Sequence, residues 1–435
     1  MFKQPTEAKT LKRLHVRPRH QIGKTSLVQC WVWSLAVLFA IGFVVPAAKA
    51  DDAFAAFIES LRPEAEAAGV STATFNAAFK GMEPDLTIPD LDLPGRDKSG
   101  SAGQSEFTRP PSEYLDKAYL GRLSETGKKL EAKYRAALET IEKESGVDRY
   151  SLLAIWGRET SFGNYTLPKD AVRVLATLAY VGRRKELFRK ELLAALGMLQ
   201  SGVARSDMKS SWAGAVGLTQ FMPSEYAPFA RDADGDGKKD IFRSVPDALG
   251  SAAAQLAGKG WVRGLPWGFE VRIPKGADCS LEGPLQAKPL SDWINLGFIR
   301  TGGAAWPKPL LASQMYLMSP AGGNGPAFLV TENFKVIRLY NTSDLYALFV
   351  GHLADRIAGG PDFEAPWGTA VQRTKTIQDI QTRLKALGYN VDKIDGKIGS
   401  NSRMNIGKYQ KTNGLKVDCW PTDGVLAHMR ANAAQ

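Results

Sequence analysis

The sequence predicts a mainly α protein with small β elements, arranged as two folded units behind a leader. Three observations carry this. Apolar residues recur at helical spacing through most of the stretch between residues 114 and 199. Strand-like runs are short and local, in FEVRIP (269–274) and AFLVT (327–331). The Gly- and Pro-rich stretch GGPDFEAPWG sets off the last part of the chain, so that 51–360 reads as one domain, 361–373 as a linker and 374–435 as a small second domain.

The leader spans residues 1–50. It runs from a basic stretch with Lys3, Lys9, Lys12, Arg13, Arg17, Arg19 and Lys24, through the apolar run WVWSLAVLFAIGFVV, to PAAKA. The fifteen residues from Trp31 to Val45 suit a signal-peptide core better than a spanning helix, and Ala48 with Ala50 makes an A-x-A cleavage site. Export to the periplasm is expected, with Asp51 the first mature residue. A retained membrane anchor is the competing reading, and Cys30, which precedes the apolar run, does not suit a lipid-anchored cysteine.

The leader holds eight Lys/Arg against one Glu, so it carries +7 of the net +11 and leaves +4 for the rest. With no basic stripe interleaved with aromatics, nucleic acid is a poor partner. An acidic polymer such as a cell-wall glycan stays compatible. Past the leader only Cys279 and Cys419 remain; an oxidising compartment permits a disulfide between them, but they fall in different expected domains, and unpaired, buried thiols are the favoured reading. Four histidines and no cysteine pair at ligand spacing argue against a zinc site.

Taken in order, residues 51–82 read as two short helices, and Pro-, Gly- and Ser-rich sequence then runs to Pro111 as extended chain or loop. Helices follow over 114–146, 148–159, 171–180 and 184–199, and a last one over 343–358 precedes the linker. There is no long internal repeat.

Within the second of these helices, AIWGRETSFG places Leu152, Ile155, Trp156 and Glu159 on one stripe, with Gly157 and Gly163 marking close backbone approach and the helix end. A carboxylate on an apolar stripe is either one half of a structural ion pair or a poised acid. Arg158 points about 100° away around the helix and need not be its partner. Further on, SSWAGAVGLTQFMPSEY offers the Ser211 hydroxyl, the Gln220 amide, Gly214 and Gly217 for close approach, and Pro223 to start a helix. That is sugar-binding chemistry if it lines a groove, and a Gly-rich packing turn if it does not.

RETSFG, then SWAGAVGLTQFMPS, then RLYNTSDLYA, in this order over roughly residues 107–360, resemble the lytic murein transglycosylases of the B type. The resemblance implies a lysozyme-like catalytic domain and the roles of its residues. Glu159 is the single catalytic acid and base, Ser211 and Gln220 contact the sugar, Tyr340 and Asn341 match the Tyr-Asn motif, Tyr346 is a further groove aromatic, and Tyr180 is a candidate at the glycan wall. It implies lytic cleavage of the β-1,4 bond between N-acetylmuramic acid and N-acetylglucosamine, leaving 1,6-anhydro ends. An ordinary glycosidase needs two carboxylates, but here the substrate's N-acetyl group stands in for the second. The acid must start protonated, which an apolar stripe favours by desolvation. A lysozyme-like hydrolase and a noncatalytic wall-binding scaffold are the competing readings.

DADGDGKKD starts like a calcium loop, with Asp232, Asp234 and Asp236 at positions 1, 3 and 5, Gly237 at 6, Lys238 at 7 and Asp240 at 9. Arg243 stands at position 12, where a bidentate Glu is usual, and Asp247 can replace it from the next helix. The resemblance supports a structural, EF-hand-like Ca2+ site; the chemistry itself calls for no cofactor. In the last domain, L-x-x-L-G-Y, IDGKIG and YQKTNGL are similar to the three-helix peptidoglycan-binding module. Ile380, Leu384, Leu387, Ile406 and Leu415 read as its core, and Tyr389, Asp395, Ser400 and Arg403 as ligand-facing. The expected partners are peptidoglycan glycan strands, with other cell-wall enzymes as further candidates, and the chain is expected to be a monomer.

Overall fold

The computed structural model describes residues 50–93, 109–368 and 373–432. All but the last residue of the expected leader, 1–50, lies outside the described residues. Among the described residues three short helices come first, Ala50–Ser60, Arg62–Ala67 and Thr72–Phe79, where two were expected. The Pro63 ring can begin a helix but not continue one, and so separates the first two.

The helical body is organised around Arg149–Thr160. Asp148 starts this helix by accepting a hydrogen bond from the Ser151 N–H. It lies only a few residues beyond the long helix Lys117–Ser145, which ends at Gly146 with φ 77°, a left-handed stop suited to glycine. Leu152, Leu153, Ala154 and Ile155 are all fully buried. The helix is therefore sheathed on every side, and the stripe visible in the sequence is one face of an element that has no solvent face. It packs against Lys117–Ser145, Val245–Gly258 and Asp344–Ile357.

β1 (Lys169–Asp170) pairs with β2 (Lys209–Ser210). β3 (Gly268–Arg272), β4 (Lys288–Pro289), β5 (Ile299–Arg300), β6 (Gln314–Met318) and β7 (Ala327–Val330) form an antiparallel sheet in the order β4-β6-β7-β3-β5. In register, Tyr316 and Gly268 both stand opposite Val330. Tyr316, Met318, Phe328 and Val330 face the helical core. Met315, Leu317 and Leu329 face a second core with Trp293 and Phe298. Because β6 and β7 are covered on both faces, their sequences are continuous apolar runs without alternation.

The last three helices, Thr374–Ala386, Ser400–Thr412 and Asp423–Asn432, enclose Ile380, Leu384, Ile406, Tyr409 and Leu426. Leu387, expected in this core, is 57% exposed, since the helix has already ended at Ala386.

The junction between this module and the body departs from the sequence reading at three points. Residues 361–368 are fastened down: Phe363 stacks on His352 at 3.7 Å, Asp362 pairs with Lys117 and Arg356, and Glu270 accepts the N–H groups of Glu364 and Ala365. Cys279 and Cys419 form a disulfide, with Cα atoms 6.1 Å apart; docking of the module brings together thiols that the sequence assigns to separate domains. Arg403 does not face a ligand. It is buried against Glu282, itself fully buried, with Arg403 Nη2 2.5 Å from Glu282 Oε1 and Arg403 Nε 3.0 Å from Oε2.

His352, buried under the Phe363 ring, is held to a pKa of about 4 by desolvation. The unfolded chain binds a proton near pH 6.5, where the folded chain does not, so stability is complete above that pH and declines as pH falls toward 4. The loss is on the order of 3 kcal/mol. Denaturant titrations at pH 7 and pH 4.5 should show it, and His352→Phe should abolish that share of the decline. An unchanged pH dependence in the variant refutes the assignment.

Candidate active site

Glu159 sits at the last turn of the buried helix, just before the chain reverses through Ser161 and Phe162 at φ 49° and 59°. Left-handed conformations at two successive non-glycine residues mark a strained turn. Gly157 makes it possible, because a Cβ there would stand 2.6 Å from the Phe162 ring. Glu159 is half-buried, and its Oε1 accepts a 2.5 Å hydrogen bond from the Tyr346 hydroxyl.

Arg158 makes its hydrogen bond and ring contacts with Tyr114 and Phe349, while the Glu159 charge also acts on its guanidinium. Its Nη2 donates to Tyr114 Oη at 2.7 Å, and its guanidinium lies over the Tyr114 and Phe349 rings.

Tyr346 is held by Ser343, whose hydroxyl accepts the Tyr346 N–H and caps the helix Asp344–Ile357. Tyr340 ends the preceding helix, Glu332–Tyr340, and its hydroxyl donates to Thr219 O at 2.6 Å. Burial first, and then the Glu159 charge, hold both tyrosine hydroxyls far above the ordinary range. Both therefore remain neutral hydroxyls, and toward an ionised Glu159 Tyr346 acts as a donor.

The loop 211–222 is pinned from two sides. The Thr160 hydroxyl donates to Leu218 O at 2.7 Å from the end of the Glu159 helix, and Tyr340 holds Thr219 from the other. Within the loop, Ser211 Oγ accepts the N–H groups of Ala213 and Ala215, and Gln220 sits at φ 57° with its amide donating to Gly217 O. Gly217 is required at its position, since at φ 76° a Cβ would stand 2.8 Å from Ile241 O.

The structure thus ties Glu159, Tyr346, Tyr340 and the loop carrying Ser211 and Gln220 into one contact set, with Asn341 directly after Tyr340 at the helix end. Tyr180 is held differently: its ring packs with Phe54 and Phe57 of the first helix, at 5.3 and 5.2 Å between centroids. Sequence reasoning missed Thr160 and Thr219. The position of Thr160 next to Glu159 in RETSFG was the available signal.

In the acidic loop, carboxylate oxygens of Asp232, Asp234, Asp236 and Asp247 all lie within 4.8 Å of one another. Asp247 is fully buried and accepts the N–H groups of Ala233, Asp234 and Asp240. Asp240, expected as a ligand, is not in this cluster: its carboxylate caps the next turn by accepting from Phe242 and Arg243 N–H. Lys238 lies in the loop with its N–H on Asp236 Oδ1. Four carboxylates at this spacing repel one another unless a cation stands among them, and oxygen donors of this kind suit a hard divalent ion.

The profile of the transglycosylase SLT domain matches residues 53–355, and that of a peptidoglycan binding domain matches residues 373–429. The chain belongs to the transglycosylase SLT family. Among family relatives, membrane-bound lytic murein transglycosylase B of Escherichia coli K12 is 30% identical over 240 residues, covering 52% of this chain and 61% of that protein. The crystal structure of SltB3 of Pseudomonas aeruginosa with NAG-NAM-pentapeptide superposes with a TM-score of 0.78 at 40% identity, over 86% of this chain and 99% of that one. Soluble lytic transglycosylase SltB1 of the same organism gives 0.55 at 26% identity, over 70% and 98%. In this transglycosylase SLT chain the match to SltB3 extends beyond the catalytic body, which is consistent with a C-terminal module that is part of the same packed unit.

Proposed function

We propose that this chain is a peptidoglycan lytic transglycosylase that cuts between N-acetylmuramic acid and N-acetylglucosamine without water, using Glu159 as acid and then base. The observation that carries this reading is the 2.5 Å hydrogen bond from Tyr346 to Glu159, made at the end of a buried helix while Arg158 is committed to Tyr114. A carboxyl so placed is oriented by a neutral donor, a setting in which it can hold a proton and deliver it.

In the first step Glu159 gives its proton to the glycosidic oxygen, and the N-acetyl carbonyl oxygen of the muramic acid bonds to C1 as the C1–O bond breaks. In the second, Glu159 takes the proton of the C6 hydroxyl while O6 bonds to C1 and displaces the acetamido oxygen. The 1,6-anhydro ring closes, Glu159 is protonated again, and no water is consumed. Supporting this product, SltB3 has also been crystallised with NAG-anhNAM-pentapeptide. Ser211, Gln220, Tyr340 and Asn341 are assigned to holding the sugars, Tyr346 to orienting Glu159, and Tyr180 to a flanking position on the wall.

Digestion of purified sacculi with mass spectrometry of the products tests the reading. Anhydro-ended muropeptides are expected; products heavier by one water indicate a hydrolase, and unchanged sacculi a scaffold. The leader pattern supports export to the periplasm, where this substrate lies, and no helix among the described residues is long and apolar enough to cross a membrane.

The acidic loop is assigned a structural Ca2+ held by Asp232, Asp234, Asp236 and Asp247. The Asp234→Asn/Asp236→Asn variant should lose more thermal stability in calcium than in chelator, because a ligand present at about 100 times its Kd adds about 2.7 kcal/mol to the folded state. Equal melting shifts in the two media remove the metal from the account.

A further inference from the structure

One charged residue stands between the C-terminal module and both tyrosines of the site. Asp344 opens the helix that carries Tyr346. Its Oδ1 lies 2.9 Å from Arg338 Nε, on the helix that ends in Tyr340, and its Oδ2 lies 3.5 Å from Arg403 Nη2, on the module. Arg403 is itself immobilised: it is 2% exposed, its Nε and Nη2 are on Glu282, and its Nη1 donates to Ile398 O. The short segment 338–346 thus carries Tyr340 and Tyr346 and is gripped at its one acidic residue from both directions.

We propose that Arg403 and Asp344 are positioning residues of the active site: the docked module fixes the start of the Tyr346 helix, and through Tyr346 the orientation of Glu159. The chain of contacts is unbroken, from Glu282 to Arg403, to Asp344, to the capped turn of Ser343 and Tyr346, to Glu159. Each link is charged, buried or both, so a displacement at one end is passed on rather than absorbed by solvent. The sequence likeness of residues 373–429 to a wall-binding domain accounts for adhesion; the packing gives the module a second task inside the catalytic body.

The inference rests on the proposed acid–base role of Glu159, and the test separates the two. Steady-state cleavage of peptide-free glycan strands is measured for the wild type, Asp344→Asn, Tyr346→Phe, the combination of these two, and Glu282→Gln/Arg403→Met, with thermal melts in parallel. Asp344→Asn retains the Glu282–Arg403 pair and the length of the side chain. It should lower kcat between about five- and a hundred-fold, the upper end being the cost of a misplacement of about 1 Å, and leave KM within about twofold. Looser donation from Tyr346 stabilises the ionised form of Glu159 less, so the pH at which activity falls on the alkaline side should move upward.

Combined with Tyr346→Phe, Asp344→Asn should cost little more than Tyr346→Phe alone, because both break one chain. Glu282→Gln/Arg403→Met should reproduce the Asp344→Asn profile. An unchanged kcat in Asp344→Asn, a loss confined to KM, or losses that multiply in the combination overturns the inference. So does a wild-type profile in Glu282→Gln/Arg403→Met. Failure of the wild type itself to form anhydro ends overturns the proposed function instead.

Discussion

Glu159→Gln should turn over glycan strands several powers of ten more slowly than the wild type and fold as well or better. A general acid or base step is worth about 10²–10⁴-fold, and here one group supplies both. The amide keeps an oxygen that accepts from the Tyr346 hydroxyl, so the short contact at Oε1 can survive in the variant. What is lost is the proton to be given and taken back. A neutral amide is also easier to keep at the end of a sheathed helix than a group that must ionise. Binding of glycan strands should persist, since Ser211, Gln220 and Tyr340 are untouched. Near-normal formation of anhydro ends by the variant would end the mechanism, and a loss of activity that tracks unfolding would return Glu159 to a structural role.

The second large effect concerns the module. Arg403→Met leaves the Glu282 carboxylate, at 0% exposure, without its counter-charge. Breaking a buried pair from one side costs about 3–5 kcal/mol, whereas removing both charges is close to neutral. Denaturant titration should therefore find Arg403→Met strongly destabilised. Glu282→Gln/Arg403→Met should be largely restored, because the carbonyl of the introduced glutamine can still accept the Ser319 N–H that Glu282 accepts at 3.0 Å. A double variant less stable than the single one contradicts this account. For the same reason, truncation after Gly360 should not yield a working catalytic body with a merely detached tail. It uncovers Glu282 and Cys279 together and strips the cover from His352.

The helix of Glu159 was legible because Leu152, Ile155, Trp156 and Glu159 keep a helical period and Gly157 and Gly163 mark the turn beyond it. Its surroundings were less so. β6 was not found, because QMYLM is buried on both faces and lacks the alternation that announces a half-exposed strand. The resemblance gave Tyr346 as a groove aromatic only, and its meeting with Glu159 was not legible: nothing in the spacing of residues 187 positions apart places one on the other. Arg403 reads in sequence as ligand-facing and Asp240 as a metal ligand, and nothing in the sequence singles out Glu282 or Asp344, because what these residues touch is decided by packing between segments remote in the chain. The two cysteines were the one available signal for that packing. In an oxidising compartment a pair of thiols is reason to look for contact, even across an expected domain boundary.

The bond between Cys279 and Cys419 also sets a schedule for assembly. The two residues are separated by 140 positions. At a synthesis rate of about 5–20 residues per second, the earlier thiol waits on the order of ten seconds for its partner to emerge. During that interval the sheet and its surrounding helices can form around an open seam, with Glu282 still lacking its counter-charge. Cys30, the only other cysteine in the sequence, lies in the leader, so a chain from which the leader has been cut has one pairing available and no incorrect bridge within itself to undo. If the chain is exported as proposed, closure of the seam falls to an oxidant outside the compartment that made it, and the alignment proposed for Tyr346 and Glu159 is completed there.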